Sequence, residues 1–139
     1  MLEVEAYRSG MNVALNQPAT QSSTHHSNDK FAASKAVDGL TSTFSHTSVQ
    51  DGCSATASTW LEVELDGYPI ESVTIKNRAC GSEELQHCLC RLSQTVVMLL
   101  DETGDLVDGA MTMTGDMCGV YEWSYEYSKA SKYCKVFDG

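Results

Sequence analysis

The chain has 139 residues, with nine basic residues against nineteen acidic ones and a formal net charge of -10. That length makes a single domain, residues 1–139, and the charge excludes a nucleic-acid footprint and opposes docking on an anionic membrane surface. Hydrophobic residues make up 42% and charged ones 20%, so wholesale disorder is excluded, and no apolar run approaches the ~20 residues of a membrane span.

The opening residues alternate, with Leu2, Val4 and Ala6 against Glu3 and Glu5, which predicts a strand over residues 2–7. They lack the apolar length of a signal segment, so an exported protein would owe its export to residues outside this chain. Residues 17–30 are polar and rich in Ser, Thr, His and Asn, and residues 32–37 hold the one short helical piece. Residues 41–59 form a second polar stretch, and both stretches are long enough to be ordered functional loops. Leu61, Val63 and Leu65 alternate with Glu62 and Glu64, a strand with one wet face, on which the two glutamates are expected to be solvated. A turn at residues 66–69 leads to a β-rich run at 70–75. Residues 95–100 are more continuously apolar, as in a strand covered on both faces. Further runs at 121–127 and 132–137 complete an all-β pattern of short strands and turns, an antiparallel sandwich or barrel.

Six cysteines, at positions 53, 80, 88, 90, 118 and 134, are an even number, enough for three disulfides of undefined connectivity. They favour an oxidising, extracellular compartment. One alternative metal cluster exists, His87, Cys88 and Cys90 with Cys80 nearby, but the second paired knuckle of a structural zinc site is missing from the sequence. The sequence carries no nucleophile elbow, His-Glu-x-x-His, phosphate loop or dinucleotide fingerprint, so a non-catalytic role is expected.

Four ordered motifs carry a resemblance: residues 12–23, residues 33–39 ending in Asp38-Gly39, residues 60–65 and residues 70–78. Together they resemble the discoidin or coagulation-factor C-type domains and, within them, the F-type lectins or fucolectins. The resemblance implies a jelly-roll-like, galactose-binding-domain-like β-sandwich of about eight strands, with a sugar site on loops at one end and a structural calcium nearby. Residues 132–137 resemble the first of the family's two closing strands and residues 2–7 the second. The closing strand would therefore come from the N-terminus, folding back within the chain or pairing with a neighbouring repeat. An incidental edge strand is the plain alternative.

The same resemblance implies a calcium ligand set of Asp38 (carboxylate), Lys35 and Leu40 (carbonyls), Ser48 (carbonyl and hydroxyl), Leu2 (carbonyl) and Glu3 (carboxylate). Calcium accepts such a mixture because it takes 6–8 oxygens of any origin. The family's sugar site is one His and two Arg, whose planar guanidinium groups donate paired hydrogen bonds to hydroxyls. Arg78 matches the first Arg. Cys80 and Leu85 stand where the family has Asp and the second Arg, and Arg91 resembles the second Arg displaced by an insertion. His46 is the nearest histidine to the third position. Each has a plain alternative: a loop-structuring Arg78, a surface ion pair at Arg91, solvated His25 and His26, and core packing of Trp60 and Trp123. The expected function is a calcium-stabilised carbohydrate-binding module for glycans, terminal fucose by resemblance. Its rival is a discoidin-like adhesion module that has lost the sugar site.

Overall fold

Residues 3–48, 59–78 and 92–137 are described by a computed structural model. Two-residue alternation forces each strand to hide one face, and two antiparallel sheets do so by packing those faces together. The strands are β1 (Glu3–Arg8), β2 (Met11–Asn12), β3 (Ala19–Gln21), β4 (Trp60–Glu64), β5 (Pro69–Lys76), β6 (Val96–Leu100), β7 (Leu106–Met113), β8 (Glu122–Ala130) and β9 (Tyr133–Phe137). One sheet has the order β2-β1-β5-β8 and the other β3-β4-β9-β6-β7, so the fold is an all-β sandwich.

The register explains the core. Leu61 faces Val136 and Val63 faces Cys134 across β4 and β9, and Val136 and Cys134 continue to Val97 and Leu99 on β6. Val4, Ala6, Val73 and Ile75 oppose them from the first sheet, all without solvent exposure. Each such Val, Leu or Ile contributes roughly 1.5–3 kcal/mol on burial.

Three strands escape the sequence pattern. β2 and β3 are too short to show a period, and β7 is hidden by Asp108, Gly109 and the exposed Met111 and Met113. Residues 95–100 are covered mainly on one face: Val97 and Leu99 are buried, whereas Val96 and Met98 are half-buried. Residues 33–36 form a single 3-10 turn. Glu62 and Glu64 are ion-paired rather than simply solvated, with Lys135 at 3.4 Å and Lys132 at 2.8 Å. Trp60 lies on the outer face beside Phe137, under the Lys135 ammonium at 4.0 Å, while Trp123 packs against the core.

Three disulfides do not form. Cys134 is a free thiol in the middle of β9, wholly buried between Val63 and Leu99, and burial pushes its pKa up to about 12. Cys118 is disulfide-bonded. With Cys134 excluded, at most two intrachain bridges remain. Cys53, Cys80, Cys88 and Cys90 lie outside the described residues, as does the alternative metal cluster with His87.

β1 is an interior strand. It pairs with β5 from Glu3 opposite Lys76 to Tyr7 opposite Ser72, and with β2 on its other side. Removing residues 1–8 would expose the β5 edge and strip out Val4 and Ala6. The truncated chain is expected to lose its cooperative melting transition in circular dichroism, and an unchanged melting curve would contradict this placement. Cys134 is expected to resist alkylation in the native protein and to react once denaturant is added.

Candidate functional site

The β1–β5 register fixes which residues share one end of the sandwich. Glu3 begins β1 opposite Lys76, and the chain leaves β5 through Asn77 and Arg78 at that same end. Asn77 is buried, and its N–H donates to the Tyr121 carbonyl at 2.6 Å while its side-chain oxygen accepts the Arg78 N–H at 2.9 Å. Arg78 is thereby held at the sheet margin.

The Asp38 turn follows the 3-10 turn Ala33–Ala36. Gly39 has φ +74, and a Cβ there would meet Leu15 Cδ1 at 3.0 Å, so both conformation and space require glycine. The Asp38 carboxylate accepts the Leu40 N–H at 3.0 Å and the Thr43 hydroxyl at 2.7 Å. Glu3 is only 2% exposed, and both its carboxylate oxygens are buried without a hydrogen bond of normal geometry. Burial pushes its pKa up to about 7, helped by the neighbouring Asp38 carboxylate and by Glu5, while the Gly39 N–H opposes the rise.

A buried carboxylate with no partner is costly. Two carboxylates side by side with adjacent backbone oxygens are the donor chemistry of a hard divalent cation, so these residues fit calcium. Among the described residues no group of three or more His, Cys, Asp or Glu gathers for a metal, here or elsewhere, so the remaining oxygens of such a site would come from backbone carbonyls and hydroxyls. The other expected ligands divide. Leu40 presents its carbonyl to the Thr43 hydroxyl at 3.3 Å, and Lys35 lies within the 3-10 turn before Asp38. Ser48 is engaged with the first loop, its N–H donating to the Ser23 hydroxyl at 2.9 Å and its own hydroxyl donating to the Thr24 carbonyl at 3.0 Å. Leu2 lies outside the described residues.

His46 belongs to an aromatic cluster. The His25 N–H donates to the His46 carbonyl at 2.9 Å, and the His46 N–H donates to the Phe31 carbonyl at 3.1 Å, stitching the two polar loops together. The His46 ring lies 4.3 Å from His25 and 5.7 Å from Phe31, and Phe31 lies 5.4 Å from Phe44. The Arg78 guanidinium sits 4.0 Å above the Phe44 ring, whose centre is 6.5 Å from that of the His46 ring. His46 Nδ1 is 2.6 Å from the Thr47 carbonyl. A carbonyl only accepts, so Nδ1 carries a proton.

His25 is half-buried in this cluster rather than simply solvated. Burial lowers its pKa, and the charges of His26 and Lys30 lower it further. His26 and Ser27 both adopt positive φ, of 52° and 49°. Sequence reasoning missed Phe31 and Phe44. The available signal was their presence in otherwise polar loops, since the chain has three phenylalanines and the third ends β9. Arg91 lies outside the described residues. No helix among the described residues is long and apolar enough to cross a membrane.

No family model and no curated protein sequence matches the chain. Solved structures do. The lectin domain of lectinolysin, in complex with Lewis B antigen, superposes with a TM-score of 0.71 at 28% identity, covering 91% of this chain and 84% of that one. A fucose-binding module of Streptococcus pneumoniae gives a TM-score of 0.64 at 23% identity over 94% and 86% of the two chains. A fucolectin from the serum of Morone saxatilis, the striped bass, gives 0.61 at 19% identity, over 93% of this chain and 42% of that one. The last two are similar in fold.

Glu3 gives the metal-free protein a pH dependence. The folded state keeps its proton up to about pH 7, whereas an ordinary glutamate releases it near 4.5. The native state thus holds more protons in that window, and metal-free stability is expected to fall as pH rises through it. Glu3→Gln should flatten that slope and add about 1–3 kcal/mol above the window. Denaturant titrations across pH read both quantities, and a slope that survives the substitution would contradict the buried, unpartnered carboxylate.

Proposed function

We propose that this chain is a non-catalytic carbohydrate-binding module that takes a terminal sugar, fucose foremost, at the Arg78–Phe44–His46 end of the sandwich. The carrying observation is the Arg78 guanidinium stacked on Phe44 beside His46, on a fold similar to a lectin domain seen with Lewis B antigen. Arg78 donates paired hydrogen bonds to sugar oxygens, as a planar guanidinium can and an ammonium cannot. By resemblance, His46 supplies the imidazole of the site and Arg91 the second guanidinium. Stacking on Phe44 holds the Arg78 side chain in place, so less freedom is lost on binding.

Calcium is held in this reading by the Glu3 and Asp38 carboxylates, with Lys35, Leu40, Leu2 and Ser48 supplying oxygens by resemblance. The ion supplies positive charge to the buried Glu3 carboxylate and the half-buried Asp38 carboxylate beside it. Asp38 then ties its turn to β1, and the loops beyond the turn keep their place. The cysteine usage supports an extracellular setting. A small polar ligand gives weak binding per site, which neighbouring repeats of the parent protein would raise by avidity.

Adding calcium to metal-free protein is expected to raise its melting temperature by several degrees, an increment that Asp38→Ala removes. Arg78→Ala and Arg78→Lys are both expected to lower affinity for fucosylated glycans at least about tenfold with the melting curve preserved, since a hydrogen bond to a charged group is worth roughly 1.5–3 kcal/mol. Calorimetric titration tests this. Glycan binding that survives Arg78→Ala would move the site elsewhere, and binding of no glycan by the native protein would leave the adhesion reading.

A further inference from the structure

Charge is unevenly distributed over this acidic chain. Residues 9–50 carry two of the nineteen acidic residues, Asp29 and Asp38. Among the described cations, Arg8, Lys76, Lys132 and Lys135 are each bound to a carboxylate: Asp66, Glu5, Glu64 and Glu62. Lys30, Lys35, Arg78 and Lys129 have no such partner among the described residues. Two of these four rest on touching rings. The Lys30 ammonium lies 4.7 Å from the Phe31 ring centre, the Arg78 guanidinium lies 4.0 Å from that of Phe44, and the two rings are 5.4 Å apart.

Free lysines normally wave in solvent, and the ring confines this one. Its platform is fixed in turn, because Phe31 packs against His25, Phe44 and His46 and its carbonyl accepts from Gln21 and from the His46 N–H. His25, His26 and His46 add no negative charge. Burial lowers the His25 pKa first, and the charges of His26 and Lys30 lower it further. Asp29 is exposed and forms no ion pair with Lys30, and the Glu3–Asp38 pair is the one that the proposed calcium neutralises. With Arg78 committed to sugar hydroxyls, Lys30 is the spare cation at the site's edge.

We propose that Lys30, on the Phe31 platform, forms a subsite for an anionic substituent, a sulfate ester or a sialic acid carboxylate, on the glycan held at Arg78. This rests on the lectin reading. Fucose itself is neutral, so an anion here would discriminate among glycans sharing the same terminal sugar.

The test is calorimetric titration of the calcium-loaded chain with a neutral Lewis-type oligosaccharide, its sulfated form and its sialylated form at low ionic strength. At least one anionic form is expected to bind about fivefold tighter than the neutral one, the worth of roughly 1 kcal/mol from an exposed charge pair. Preference for one form alone identifies the anion. The advantage should shrink at about 0.5 M sodium chloride, where the charges are screened. Lys30→Gln should remove it, and Lys129→Gln, a free cation on β8, should keep it. Neutral binding with no anionic preference, or a preference that survives Lys30→Gln, overturns the subsite alone. No binding of any of the three overturns the lectin reading and the subsite with it.

Discussion

The antiparallel pairing of β1 with β5 is the constraint on which the rest of this structure depends. Setting Glu3 opposite Lys76 puts Val4 and Ala6 into the core without exposure, and the same register buries Glu3 at the end of the sheet. The strand cannot slip to free that carboxylate, because a one-residue shift would turn Val4 and Ala6 to solvent. The apolar residues of β1 therefore hold an acid in an environment that resists its charge. The Asp38 turn, closed by Gly39, brings a second carboxylate to it. A fold without a use for that arrangement would gain by replacing Glu3 with an apolar residue.

The same end of the sandwich solves a different problem in its loops. Within residues 22–48 only Ala33, Ala36 and Val37 join the core, so the order of the flanking polar loops must come from specific bonds. The backbone bonds from His25 to His46 and from His46 to Phe31 join them, and Gln21 and Ser48 add side-chain ties. The rings of His25, Phe31, Phe44 and His46 then form a small satellite core outside the sandwich. Arg78 is fixed from below by Asn77 and from above by Phe44. Such preorganisation matters most for a small polar ligand, which offers few contacts to offset the ordering of the site.

Much of the sandwich was legible in the sequence, because β4 and β9 alternate buried and half-buried positions, β5 is a β-rich run and β1 alternates apolar and acidic residues. β7 was not, since Met111 and Met113 face solvent and Gly109 interrupts the run. The resemblance supplied Asp38, Glu3, Arg78 and His46 as site residues, but a linear pattern does not reveal which side chains touch. Phe44 under Arg78 and the His25–His46 contact depend on two loops docking across about twenty residues of chain. The even cysteine count also misled: parity suggests pairing, but the Val63–Cys134–Leu99 row makes Cys134 a core residue.

The most direct measurement of the central claim is a nuclear magnetic resonance titration of the calcium-loaded chain with L-fucose, following the aromatic side-chain resonances. Saturable shifts of the Phe44, His46 and His25 ring signals are expected, with those of Tyr68 and Tyr127 at the opposite end of the first sheet unmoved. Shifts centred on Tyr68, or spectra unchanged at millimolar sugar, would contradict that claim.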